Sequence, residues 1–410
     1  MAPSNRRPPV RMSAAGGVVI AALILTSCVG GGAAAPDEAV DPADFEGLEL
    51  TMWSGVPYEP FMSLNQEQLS ACAAEIGATV TAEAYPSAEF GTLVLQAGAS
   101  DGLPDLLMVP SSDLPQYAEG GILTDLASSY ELAPDDLADS TVDMGMYDGT
   151  LYGIASHVEV GALQYDTALV DTPPTTFEEL RAQAAELTTP DRYGIALPGN
   201  SDGAASFFLL GFILSAGGDP GDFESPGTVA AIQLYKDLVA DGSMSPEMVS
   251  WGWDFQDQFD SGAAAMTVNG PWAAMPEDGE PTPGFAPYPT SAGSEARQAI
   301  TASEWTIPVT DPLHQAAAAE ILECRLAADN QLEVAQVQYY IPARLEVGAQ
   351  WEADVPEVEA FTSAVADAYN QGGELGDEWY TTSTQLANAI QYAVVGDLSA
   401  AEALQRAASE

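Results

Sequence analysis

Apolar residues in the first third of the chain fall into compact runs, separated by longer stretches where they recur every three or four positions. Leu48–Trp53 (LELTMW) is a run that predicts a strand, broken at Ser54-Gly55. Phe61–Ile76 has helical spacing, Thr79–Ala84 alternates as a strand does, and Phe90–Ala99 returns to helical spacing. Leu103-Pro104-Asp105 then opens the apolar strand Leu106–Val109. This alternation predicts an α/β domain with a largely parallel sheet. Such sheets bind ligands beyond the carboxyl ends of their strands, which makes Trp53, Ser54, Ser111 and Ser112 site candidates. Ser111-Ser112-Asp113 also reads as a capping signal for a following helix.

Further along, Tyr147–Ile154 and Val158–Tyr165 are strand-like. Thr176, with Glu179 three residues on, forms a capping box for a helix through Leu187. Tyr193–Leu197 predicts a strand, and Ala205–Ser215 an apolar helix stopped by Gly217-Gly218. Ser225-Pro226 starts the next helix, to about Ala240. An aromatic, acidic segment (Trp251, Trp253, Asp254, Phe259) leads into the buried-strand run Ala263–Val268. That run breaks at Asn269-Gly270-Pro271, a rigid turn able to push Trp272 into a cleft. Trp305–Val309 predicts a strand, Gln315–Ala328 an Ala-rich helix, and Ser399 with Glu402 a capped helix over Ala400–Ala408.

The stretch from Phe259 through Gly262, Ala264-Ala265-Met266, Gly270 and Trp272 resembles a signature of extracellular solute-binding proteins of ABC importers. The likeness is to the sugar-binding, maltose-binding-protein-like type. Ala263 stands where the family has Lys. Pro104-Asp105-Leu106, Gly121-Ile122-Leu123, Tyr152-Gly153 with Glu159 and Leu163-Gln164-Tyr165, Gly284–Pro289, Ile341–Arg344 and the C-terminal segment are similar to further family motifs. Ala155 and Asp166 replace the usual Pro and Asn. The matches extend from about Leu48 to Ala408. The resemblance implies a two-lobed α/β fold of the periplasmic-binding-protein type (type II), with lobes joined by hinge crossings and closed by C-terminal helices. Its expected layout is a leader at 1–27, a lipidated Cys and tether at 28–44, lobe 1 at 45–155 with 303–345, and lobe 2 at 156–302 with 346–410. It implies a carbohydrate ligand, a membrane permease partner driven by a separate ATPase, a monomer, no catalysis and no cofactor.

The N-terminus supports an exported protein. Arg6, Arg7 and Arg11 precede the apolar stretch Ala14–Leu25, which is too short to span a bilayer as a mature helix. Leu25-Thr26-Ser27-Cys28 is a lipobox, so Cys28 is the expected site of lipidation and anchoring on the extracellular face of the cell membrane. Val29–Ala43 reads as a flexible tether. Cys72 and Cys324 each lie on an apolar helical face, and export allows either a disulfide between them or two buried thiols.

Charge excludes one class of partner. The 410 residues carry 61 Asp and Glu against 10 Lys and Arg, a net charge of −51, which repels nucleic acid. Two His give no zinc cluster, and the spacing of Asp254, Asp257 and Asp260 is not that of a calcium loop, so no metal is expected. Sugars present apolar C–H faces and a rim of hydroxyls. Aromatic rings match the first, and carboxylates, amides and guanidinium the second. The aromatic candidates are Trp53, Trp251, Trp253, Trp272, Trp305 and Tyr340. The polar candidates are Asp105, Glu159, Asn200, Glu304 and Arg344. The rival reading is a hydrolase. Gly199-Asn200-Ser201-Asp202-Gly203 is a literal G-x-S-x-G between a predicted strand and helix, with His314 downstream. A glycosidase would need two facing carboxylates, and a polyamine is the alternative solute.

Overall fold

A computed structural model of the chain describes residues 40–410 except 101, 131, 133–135, 201–202, 276–282, 292, 296, 366–367, 371–374 and 397. The leader, Cys28, the expected tether up to residue 39 and Ser201 lie outside the described residues; the last part of that expected tether instead enters a short helix, Pro42–Phe45, capped by Asp41. Strand β1 (Glu49–Ser54) buries Leu50, Met52 and Ser54 on alternate positions. It pairs in parallel with β2 (Thr79–Ala84) on one side and β3 (Leu106–Pro110) on the other. The helices Phe61–Glu75 and Ser87–Gly98 form the crossovers. Residues Leu106–Val109 of β3 are buried on both faces, which is why they read as an unbroken apolar run.

The hairpin β4 (Met146–Tyr147) and β5 (Thr150–Leu151) follows, turning through Asp148 and Gly149, both at positive φ. The strand-like run Tyr147–Ile154 is therefore this hairpin plus the start of β6 (Ile154–Val160). The chain then leaves the large sheet. Strand β7 (Ala162–Asp166) is the centre of a small antiparallel sheet between β8 (Met266–Asn269) and β9 (Pro283–Ala286). Gly161 alone separates β6 from β7. A Cβ there would lie 2.8 Å from Tyr288 Oη, so the crossing needs a glycine.

Strand β10 (Ala299–Thr306) returns to the large sheet and runs antiparallel to both β3 and β6. With β11 (Ile341–Pro342) and β12 (Tyr369–Asn370) the sheet has seven strands. The order is β11-β6-β10-β3-β1-β2, with β12 alongside β10. The sheet is mixed rather than largely parallel. Helices carry the chain between β1, β2 and β3 and again from β10 to β11, but β10 itself re-enters from the small-sheet half and runs against its neighbours β3 and β6.

Other departures are local. Tyr193–Leu197 makes only a bridge from Tyr193 to Ala264, because the Ile195 amide turns to the Ser243 carbonyl. Glu179 accepts from Thr175 rather than from the cap residue Thr176, whereas Ser399 and Glu402 form the full reciprocal box. The expected Gln315–Ala328 helix is Pro312–Arg325, and a second helix, Ala328–Gln338, ends at Tyr339 in the left-handed region.

Two large cores support the sheets. One packs the small sheet against the helices Gly203–Ser215, Pro226–Ala240 and Trp379–Val395. The other packs β1 and β3 against Phe61–Glu75 and Pro312–Arg325, and a Cys72–Cys324 disulfide joins those two helices.

Candidate functional site

A cavity of about 460 Å³ opens at the carboxyl ends of β1 and β3. One wall is the chain just past those strands, including Val56, Ser112 and Asp113. The opposite wall is Ser206 and Phe207 on one helix of the small-sheet half and Tyr380 and Ser383 on the Trp379–Val395 helix. Glu159 of β6 and Thr301 of β10, paired in register, also line it.

Asp113 accepts hydrogen bonds from three hydroxyls. They come from Ser112 at 3.2 Å, from Tyr117 at 3.3 Å, and from Tyr380 on the far wall. Burial nevertheless holds its carboxyl above the usual range, and the hydroxyls only partly offset that. Glu159 is half-buried in the wall, and burial pushes its pKa up to about 7.

Beside the cavity stands a ladder of rings. Trp253 and Trp272 meet edge to face with centroids 6.1 Å apart, and Trp272 lies 5.8 Å from Tyr340. Tyr340 in turn lies 4.5 Å from the His157 ring. Trp253 and Trp272 flank the small sheet, while Tyr340 and His157 belong to the large-sheet half. Trp253 is 51 % exposed. The ladder reaches the cavity in two ways. Phe207 packs 5.2 Å from Phe208, which packs 6.0 Å from Trp253. The charge of Glu159, after burial, helps raise the Tyr340 phenol. His157 is fully buried, which pushes its imidazole down to about 3 and keeps it neutral.

The structure thus brings Glu159, Trp253, Trp272 and Tyr340 together, with Ser112 on the cavity wall. Trp53 is half-buried, edge-on to Tyr85 at 5.3 Å, and packs in the cluster that includes the cavity residue Phe90. Ser54 and Ser111 are buried just behind the wall. Ser54 Oγ accepts from the Val56 amide at 3.0 Å, and the Ser111 hydroxyl meets Thr301 Oγ1 at 3.2 Å. Both serines shape the loops instead of facing the space. Trp251 is core, and its carbonyl receives the Gly199 and Asn200 amides.

Four candidates lie elsewhere. Asp105 sits before β3, at its amino end. It accepts from the Thr51 amide at 2.7 Å and pairs with His314 Nδ1 at 2.8 Å. Trp305 is fully buried, its Nε1 donating to Ser156 Oγ at 3.1 Å, under the Arg325 guanidinium. Glu304 is fully buried between Gly145 and Gly153, with no hydrogen-bond partner at either oxygen, and burial pushes its pKa up to about 8. Arg344 caps the Leu345–Asp354 helix, its amide donating to Gln331 Oε1 at 3.0 Å. Sequence reasoning missed Asp113, Phe207 and Tyr380 as cavity residues. The Trp379-Tyr380 pair at a helix start was the one visible cue.

Among the described residues, no cluster of His, Cys, Asp and Glu could hold a metal ion, and no helix is long and apolar enough to cross a membrane. His314 is committed to Asp105, at the other end of β3 from the cavity.

Two sheets joined through single-chain crossings, with a cavity beyond the parallel strands, define a two-domain α/β protein of the periplasmic-binding-protein type. The chain belongs to the bacterial extracellular solute-binding protein family, whose model matches residues 67–393. A binding protein of Brucella abortus is 24% identical over 241 residues, 54% of this chain and 58% of that one, so the chain spans little more than half of that relative's length. A maltooligosaccharide ABC transporter solute-binding lipoprotein of Streptococcus pneumoniae is 25% identical over 299 residues, covering 66% of this chain and 67% of the relative. The fold is that of the maltose-bound T. maritima MalE3, with a TM-score of 0.78, 20% identity, and coverage of 88% of this chain and 98% of the other.

Proposed function

We propose that this chain is a lipid-anchored extracellular protein that captures a mono- or oligosaccharide between two lobes and delivers it to an ABC importer permease. The observation that carries the reading is the site itself. Flat rings and hydroxyl-bonding groups from both halves of the molecule converge beside one cavity, as a sugar's apolar faces and hydroxyl rim require. Glu159, Trp253, Trp272 and Tyr340 are the proposed ligand contacts, with Asp113 and Tyr380 closing the wall. The lobes divide at Gly161 and between β9 and β10, and closure draws the small-sheet half onto the carboxyl ends of β1 and β3. The lipobox sequence ending at Cys28 and the relative named a lipoprotein support anchoring on the outer face of the membrane.

A thermal-shift screen of the tether-free protein against a carbohydrate panel tests this. A saccharide at a thousand times its dissociation constant adds about 4 kcal/mol of stability. Consumption of esters, lost on Ser201→Ala, or of chromogenic glycosides would instead establish the hydrolase.

A further inference from the structure

Resting on the carbohydrate reading, we propose that the solute is an amino sugar, free or in a short oligomer, whose protonated amine seats on Glu159. The cavity wall holds two carboxylates, Asp113 and Glu159, and among the described residues no Lys, Arg or His lines it. The two acids are in different states. Asp113 is engaged by Ser112, Tyr117 and Tyr380. Among the described residues Glu159 has neither a hydrogen-bond nor an ion-pair partner, and it lines the open space of the cavity.

Filling the cavity takes the carboxyl out of contact with solvent. A charged carboxylate left without a partner is costly to bury. A sugar hydroxyl would restore one hydrogen bond and leave the charge uncompensated. An ammonium would supply a charge-assisted bond and the missing counter-charge together. The field of a chain with a net charge of −51 also draws cations toward its clefts. The remaining wall argues for a sugar over a linear amine. Ser206, Thr301, Ser303 and Ser383 line the same space with hydroxyls, and the Trp272–Tyr340 ladder stands alongside with flat faces.

The titratable groups around Glu159 sharpen the expectation. They are the phenol of Tyr340 with Tyr58 behind it, neutral His157 on the same strand, and Asp113 with Tyr380 across the cavity. None is a cation. With its pKa near 7, Glu159 is largely neutral at pH 5.5 and about half ionised at pH 7.0. An amine's advantage over the matching hydroxyl therefore grows between those two values.

The test is calorimetric titration of the tether-free protein at pH 7.0 and 5.5. The probes are the 2-, 3- and 6-amino-deoxy derivatives of glucose and the β-1,4-linked dimer and trimer of glucosamine. Each is paired with its hydroxyl counterpart (glucose, cellobiose, cellotriose), and spermidine is the linear control. The expected result is at least one amine binding tenfold or more tighter than its counterpart at pH 7.0, with a smaller ratio at pH 5.5. Glu159→Gln should erase the ratio, so that amine and hydroxyl counterpart bind that variant alike. If neutral saccharides bind and no amine exceeds its counterpart in the unmodified protein, the inference is overturned and the carbohydrate reading stands. If no saccharide binds, whether or not spermidine does, both are overturned. The wild-type comparison decides this even if Glu159→Gln fails to fold.

Discussion

The phenol of Tyr380 donates a hydrogen bond to Asp113 across the cavity, tying the Trp379–Val395 helix to the loop that follows β3. The two residues are 267 positions apart in sequence. Their contact closes one side of the space in which the ligand is proposed to sit.

Removing that hydroxyl should loosen the closed form more than the fold. Tyr380→Phe keeps the ring and deletes one donor, a loss of about 1 kcal/mol. Ligand affinity should fall about fivefold, with little change in the unfolding midpoint of the unliganded protein. Calorimetry and small-angle scattering, with and without ligand, check this. An unchanged affinity would mean the contact has no part in closure.

Glu304 makes stability depend on pH. Its native pKa is about 8 against an ordinary 4.5, so between those values the native state holds a proton that the unfolded chain releases. Its contribution is fully present below about pH 4.5 and is lost as pH rises toward 8, at about 1.4 kcal/mol per pH unit within the window. Denaturant unfolding of the wild type and Glu304→Gln at pH 5, 6, 7 and 8 should show the variant gaining relative to the wild type as pH rises. Parallel curves would show that the carboxyl is ionised in the native state.

Gly161 has room for hydrogen only. An added Cβ would lie 2.8 Å from Tyr288 Oη and 3.4 Å from the Phe208 ring. Gly161→Ala should therefore cost about 1–3 kcal/mol by overpacking. Tyr288→Phe removes the nearest atom, so the double variant should recover much of the loss. A double-mutant cycle in urea measures the coupling, and additive effects would rule the contact out as the cause.

The Cys72–Cys324 bridge spans a sequence separation of 252 residues. Replacing both cysteines with Ala should lower stability by about 2–5 kcal/mol, chiefly by freeing the unfolded chain. Chemical unfolding with and without reductant provides the measurement.

The elements legible in the sequence were those whose cause is local. β1, β2, β3 and the Phe61–Glu75 helix follow from periodicity, and Ser225 and Ser399 cap where their spacing said they would. The run Val158–Tyr165 reads as one strand but holds two, because both are apolar and only Gly161 marks the break. Trp272 and Tyr340 were findable because each follows a strand or helix end with a distinctive turn. Asp113 with Tyr380 was not, since the pairing depends on two distant segments arriving at one place. Glu304 shows the converse limit. An acid on an apolar strand suggests a ligand contact, yet the glycines at 145 and 153 make a slot that buries it in the sheet's packing.

The bridge between positions 72 and 324 has a further effect once the export route is considered. It encloses β6 to β10, and so the entire small sheet, in one covalent ring. A protease that nicks any exposed loop within the ring opens it without releasing a fragment. The cut molecule stays one piece on a non-reducing gel and separates into two only after thiol treatment. For a protein exposed outside the cell, a single surface cleavage in that half therefore leaves both walls of the cavity on the same molecule.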